Sequence, residues 1–216
     1  PVIGTGSANA TFTITDGDKD IVTATAAFTI TDVNQPTGGE TLASLDDDGL
    51  KGGNADSDTN DLVVPNVDND GSEATFAGTL THNFGGDGAG TVSFAALDGT
   101  SGTVGTEPVD YSWSEAAGVG TLTATGPRGL VFTIEVTLST GAYELTLNDN
   151  VLHADGPNQE NEVDPTTTST YDVFDADGSP ATGTLTITFD DDAPTLVVDG
   201  PVTVVEGEST VGGSWS

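Results

Sequence analysis

Carboxylates dominate the chemistry available to this chain, and they arrive in short clusters. Asp16, Asp18 and Asp20 alternate along one segment with Asp32 downstream, and Asp175 and Asp177 are followed by Asp190, Asp191 and Asp192. Further groups are Asp46/Asp47/Asp48, Asp56/Asp58/Asp61, Asp68/Asp70 and Glu160/Glu162/Asp164. Hard oxygen donors crowded between turn-forming residues suit Ca2+, which takes about 6–8 oxygens and tolerates irregular geometry. Mg2+ fits less well, because it demands a tighter octahedron and keeps its waters. With no cysteine and only His82 and His153, zinc or copper sites are not expected.

A run of acids is by default a solvated face that keeps a protein soluble. Asp32 and Asp190–Asp192 read differently. They end a strand just before Pro36 or Pro194, where fixed carboxylates repel unless a cation bridges them and stiffens the connection. Two familiar loop motifs fail on inspection. Asp56-x-Asp58-x-Asn60 begins like an EF-hand loop, but Asp61 replaces the turn glycine and Val67 stands at the closing glutamate position. The glycine-rich run from Gly85 to Gly90 echoes a calcium-binding β-roll, yet Gly90 sits where its aspartate belongs and no tandem copy follows.

Catalysis has little to stand on, and no enzyme is expected. His82 and His153 have no nucleophile or acid in matching sequence context. Carboxylate pairs of the glycosidase kind arise everywhere in so acidic a chain. Trp113 alternates with Tyr111 and reads as core rather than as a sugar-stacking platform. Arg128, the sole arginine, reads as a structural ion pair in the turn Gly126-Pro127-Arg128-Gly129.

The elements that must position these acids are strands. Apolar residues alternate, placing Leu130, Phe132, Ile134, Val136 and Leu138 on one face and Val131, Thr133, Glu135 and Thr137 on the other. The same period of two marks Phe12/Ile14, Phe28/Ile30, Ala74/Phe76, Val92/Phe94, Tyr143/Leu145/Leu147, Tyr171/Val173 and Leu185/Ile187/Phe189. Thr fills the intervening positions and Gly, Asn and Asp punctuate the runs, as turns between antiparallel strands require. The fold class is all-β, an antiparallel β-sandwich.

An internal repeat organises the chain. Residues 10–37 (ATFTITDGDKDIVTATAAFTITDVNQPT) and 169–195 (STYDVFDADGSPATGTLTITFDDDAPT) share an aromatic-led strand, an Asp-x-Asp turn, a Thr-rich return strand and an acidic Pro-Thr ending. Residues 40–53 also resemble 201–213. Residues 1–36 are therefore expected to be the closing hairpin of a preceding repeat, 37–195 a complete repeat, and 196–216 the start of the next. The alternative is that 1–36 and 196–216 form one domain split by the insertion. Either piece alone is too short to bury a sheet face.

Composition narrows the partners. The 216 residues carry 35 Asp+Glu against 3 Lys+Arg, a formal net charge of −32. Such a field repels phosphate backbones and anionic lipid, so neither nucleic acid nor membrane is expected as a partner. No apolar run approaches the ~20 residues of a membrane span, and residue 1 onward lacks a signal-peptide pattern, which fits a mature or internal fragment. Leu, Ile, Val and Phe make up about 23% of the chain, just above the ~20% level associated with disorder. Folding is expected to be marginal until cations neutralise part of the charge.

The segments SLDDDGLKGGN (44–54), ATFAGTLTHNFGGDGAG (74–90), GTLTATGPRGLVFTIEV (120–136), TGAYELTLNDNVLHADG (140–156) and LTITFDDDAPT (185–195) together resemble a repeat of giant RTX adhesins and other type I-secreted bacterial surface proteins. The stretch Asp32-Val33-Asn34-Gln35-Pro36 is similar to the linkers of cadherin-like domains. The resemblance implies Ig- or cadherin-like β-sandwiches strung end to end, monomeric, stabilised by Ca2+, exported to the bacterial cell surface and used in adhesion and biofilm formation. It also implies that Asp32, Asp190, Asp191 and Asp192 are junction ligands and that Asp16, Asp18, Asp175 and Asp177 are hairpin-turn ligands. The expected partners are adjacent repeats of the same chain. A second reading makes the domain a binder of glycan or protein, through long glycine-rich loops at 82–90, 98–108 and 153–165.

Overall fold

The structure, a computed structural model, describes residues 6–30, 35–50, 73–154 and 164–190. β1 (Gly6–Thr15) and β2 (Ile21–Ile30) pair with each other and, among the described residues, with no other strand. They are followed by β3 (Thr37–Gly38), β4 (Glu40–Asp46), β5 (Thr75–Thr79), β6 (His82–Asn83) and β7 (Thr91–Ser93). β8 (Ser101–Val104), β9 (Glu107–Ala116), β10 (Val119–Gly126), β11 (Gly129–Thr137) and β12 (Ala142–Leu147) form a meander, and β13 (Thr166–Phe174) and β14 (Pro180–Asp190) close the fold.

Two sheets make the body, one ordered β5-β12-β11-β10-β9-β8 and the other β4-β14-β13-β7. Their inner faces share one core. Phe132 of β11 lies 6.3 Å, centroid to centroid, from Phe189 of β14, and Phe94 meets Tyr171 of β13 edge-on at 5.9 Å. The chain is thus an all-β sandwich, as its alternation predicts. Alternation drives the burial directly: along β14, Gly183, Leu185, Ile187 and Phe189 are buried while the residues between them are not.

Three local expectations need correction. The sandwich is not purely antiparallel, because β14 pairs in parallel with β4, from Thr184↔Glu40 to Asp190↔Asp46. That ladder joins the first long strand of the body to its last. Second, Leu130 does not share a face with Phe132. The register slips so that Ala124 opposes Phe132 and Thr125 opposes Leu130, leaving Val131 as the extra residue of a β-bulge. Val131 is buried and Leu130 is 39% exposed, the reverse of the simple alternation. Third, residues 98–108 are no long loop, since they contain β8 and the start of β9.

Trp113 packs against the core, edge-on to Phe94 at 6.3 Å, with its indole Nε1 donating to Glu115 at 2.9 Å. Arg128 holds Glu107 in an ion pair, as its place in a turn suggested. Close approach makes one glycine obligatory. At Gly183 a Cβ would stand 2.3 Å from Cζ of Tyr171, whose ring crosses it from the facing strand.

Candidate metal centre

The two long hairpins end in the same turn. In the β1–β2 turn Asp16 N–H donates to Asp20 O at 3.1 Å, Lys19 N–H to Asp16 O at 3.2 Å, and Asp20 N–H to the Asp16 carboxylate at 2.9 Å. In the β13–β14 turn Asp175 N–H donates to Ser179 O at 3.3 Å, Gly178 N–H to Asp175 O at 3.2 Å, and Ser179 N–H to the Asp175 carboxylate at 2.8 Å. Lys19 and Gly178 both take positive φ, 78° and 92°. The first aspartate uses its side chain to hold the turn, the behaviour that favours Asp at such positions. Asp16, Asp18 and Asp20 therefore correspond to Asp175, Asp177 and Ser179.

In the first turn the ligand atoms of Asp16, Asp18 and Asp20 all lie within 4.8 Å of one another, and all three residues are exposed. Asp16 is held below the ordinary carboxylate value of 3.8, first by a hydrogen bond with the Asp18 side chain and then by the Asp20 N–H. Two carboxyls in that relation need a shared proton or a cation between them. In the second turn Asp175 is buried. Its Oδ1 accepts from Asp177 N–H at 3.2 Å and Ser179 N–H at 2.8 Å, while its buried Oδ2 accepts no hydrogen bond from any of the described residues. Asp177 is held below 3.8 chiefly by the Asp175 side chain, with help from Ser179, whose hydroxyl donates to it at 3.1 Å. A buried carboxylate oxygen without a donor is costly, and a hard cation is one group that satisfies it. The glycine-rich loop carrying Asp87 lies against this turn, with Ala176 N–H donating to Gly88 O at 3.2 Å.

A third group of acids gathers where the parallel ladder ends. Asp46, Asp47 and Glu73 are all buried; Asp46 N–H donates to Glu73 O at 3.1 Å, and Asp190 stands opposite Asp46 in register. Ionised carboxylates leave water only where something compensates their charge.

Of the expected ligands, the structure brings Asp16 together with Asp18, and Asp175 with Asp177. It sets Asp190 at the end of β14 beside Asp46. Asp32, Asp191 and Asp192 lie outside the described residues. Asp20 joins the first turn as a third carboxylate. Glu73 was not singled out by the sequence reading, and no local pattern marks it, because only the return of the chain brings it to Asp46. His82 is structural: its Nδ1 lies 2.7 Å from Leu80 O and its ring packs edge-on to Phe84 at 4.7 Å.

Fold and turns together define an acidic β-sandwich whose hairpin ends present clustered oxygen donors. The chain belongs to the DUF5801 family, described as a domain of unknown function, whose family model matches residues 44–188. No curated protein and no solved structure matches it.

Proposed function

We propose that this chain is a calcium-stabilised structural module, an extender of a bacterial cell-surface adhesin built from similar sandwiches in series. The observation that carries the reading is the pair of equivalent hairpin turns: one holds three carboxylates whose ligand atoms lie within 4.8 Å of one another, the other a buried carboxylate oxygen with no hydrogen-bond donor among the described residues. Calcium at these turns offsets part of the −32 net charge and so stabilises a chain of modest apolar content. Type I secretion, the cell surface and a role in adhesion rest on the resemblance of the sequence motifs. The module's role is mechanical, not catalytic.

Calorimetric melting of the full chain with excess calcium and with EDTA tests this. Calcium at about a hundred times its Kd is expected to raise Tm by roughly 5–10 °C. The D175N/D177N variant should lose part of that rise. Coincident melts in calcium and EDTA would overturn the reading.

A further inference from the structure

The β1–β2 hairpin has one apolar face that nothing described covers. The register Ala8↔Phe28, Ala10↔Ala26, Phe12↔Ala24 and Ile14↔Val22 puts apolar residues opposite one another along one side. The intervening pairs Ser7↔Thr29, Thr11↔Thr25 and Thr13↔Thr23 make the other side mainly polar, with Ala27 and Ile21 as its apolar members. Phe12, Ile14, Val22 and Phe28 are 57%, 73%, 69% and 51% exposed. An isolated two-stranded hairpin is marginal in water, and a ribbon this asymmetric is built to be covered.

We propose that this face docks on the inner face of a six-stranded sheet of the kind β5-β12-β11-β10-β9-β8 form here, carried by another repeat of the same type. The hairpin then completes that repeat's sandwich as β13–β14 complete this one. The argument is one of register. Superposing the two turns, Asp16 on Asp175, sets Phe12 on Tyr171, Ile14 on Val173, Ala26 on Leu185 and Phe28 on Ile187. All four of these β13–β14 residues are fully buried against the six-stranded sheet. A face with the same period, register and turn calls for the same counterpart. This chain's own six-stranded sheet cannot serve, because β13–β14 already occupy its inner face. A second folded copy has the same sheet covered and carries a repelling charge of −32.

One departure is informative. Tyr171 crosses Gly183 and its hydroxyl lies 2.7 Å from Thr81 O and 3.0 Å from Gly39 O, whereas the hairpin has Phe12 opposite Ala24. The repeat that receives β1–β2 therefore makes no hydrogen bond of this kind to it.

The inference deepens the proposed function by naming the partner of the hairpin. It rests on the end-to-end arrangement and not on calcium, so the melting experiment and the one below can fail separately. A second copy of residues 35–165 is fused directly ahead of Ser7 of the chain, giving β1–β2 the chain position that β13–β14 hold. Hydrogen–deuterium exchange is followed on peptides within 7–30 in the fusion and in the full chain alone. In the fusion these amides are expected to exchange at least about a hundredfold more slowly than in the single chain. F12D/F28D should abolish that protection without changing exchange in β13–β14, which the fusion carries once. Because the added sheet evolved against Tyr171 and Gly183, the fusion is also made with F12Y/A24G, which restores that pair. Absence of protection in both fusions would overturn the proposal. So would equal protection in the single chain that appears with rising concentration, since the occupant would then be a second copy.

Discussion

Arg128 and Glu107 meet at 2.7 Å, Nη2 to Oε2, although one lies in the β10–β11 turn and the other opens β9. Nε donates to the same carboxylate oxygen at 3.0 Å, and the Arg128 backbone N–H reaches Oε1 at 3.3 Å. The guanidinium also donates to Asn150, at 2.9 Å to its side chain and 2.6 Å to its carbonyl, and pairs with Asp149 at 3.2 Å. The sole arginine thus ties the end of the β9–β11 meander to the segment after β12. Glu107 is 4% exposed, so removing the arginine strands a charge in the interior.

R128M is accordingly expected to lower stability by about 3 kcal/mol, the scale of breaking a buried pair from one side. The double variant R128M/E107M should recover part of that loss, because no charge is left buried. Denaturant unfolding of the wild type and both variants measures this.

The same pair sets a limb of the acid profile. Arg128 holds Glu107 below its ordinary value of 4.5, and Asp16 and Asp177 lie below 3.8 through their turn hydrogen bonds. Each binds fewer protons in the folded than in the unfolded chain. Their stabilisation is present above about pH 4.5 and is lost as pH falls through the lower folded values. Melting between pH 6 and pH 3 should show Tm falling below pH 4.5, with a shallower fall in the R128M/E107M variant.

Tyr143 predicts the opposite limb. Its ring packs against Gly78, and its buried hydroxyl has no hydrogen-bond partner among the described residues. Burial pushes it up to about 12. The folded state favours the neutral phenol, so this contribution is intact below pH 10 and disappears as pH rises toward 12. Y143F should be neutral or stabilising by up to about 1 kcal/mol at pH 7, because it removes an unsatisfied group. It should also flatten the alkaline decline in Tm.

Gly183→Ala tests the packing between the central strands of the smaller sheet. Its Cβ would meet the Tyr171 ring at 2.3 Å, and Tyr171 is fully buried and held through its hydroxyl. The substitution is expected to cost about 2 kcal/mol or more, read from the shift in unfolding midpoint at unchanged slope.

The body of the fold was legible because its signals are local. A period of two in Leu185, Ile187 and Phe189 buries that face wherever the strand pairs. Asp16 and Asp175 set their turns by bonding to residues four positions on. The duplication of the hairpin could be read for the same reason, and the structure adds that three hydrogen bonds of the first turn recur at the same positions in the second. Where a site depends on non-local pairing, the sequence carried less. The acids Asp46 and Glu73 meet through a backbone hydrogen bond between residues 27 positions apart, and neither advertises the other.

By itself, then, the sequence determined strands, turns, the acidic character and the two-sided hairpins, all of which follow from side-chain alternation and turn chemistry within a few residues. Only the tertiary structure decided that β14 lies parallel to β4, because strand order depends on which distant edge is free. It alone decided that Val131 and not Leu130 enters the core, because a bulge changes face at the cost of a single residue. It also separated two hairpins that share register and turn: Tyr171 and Ile187 are buried beneath a sheet, while Phe12 and Phe28 stand exposed. The difference follows from what each hairpin has to pack against, a six-stranded sheet for β13–β14 and none among the described residues for β1–β2.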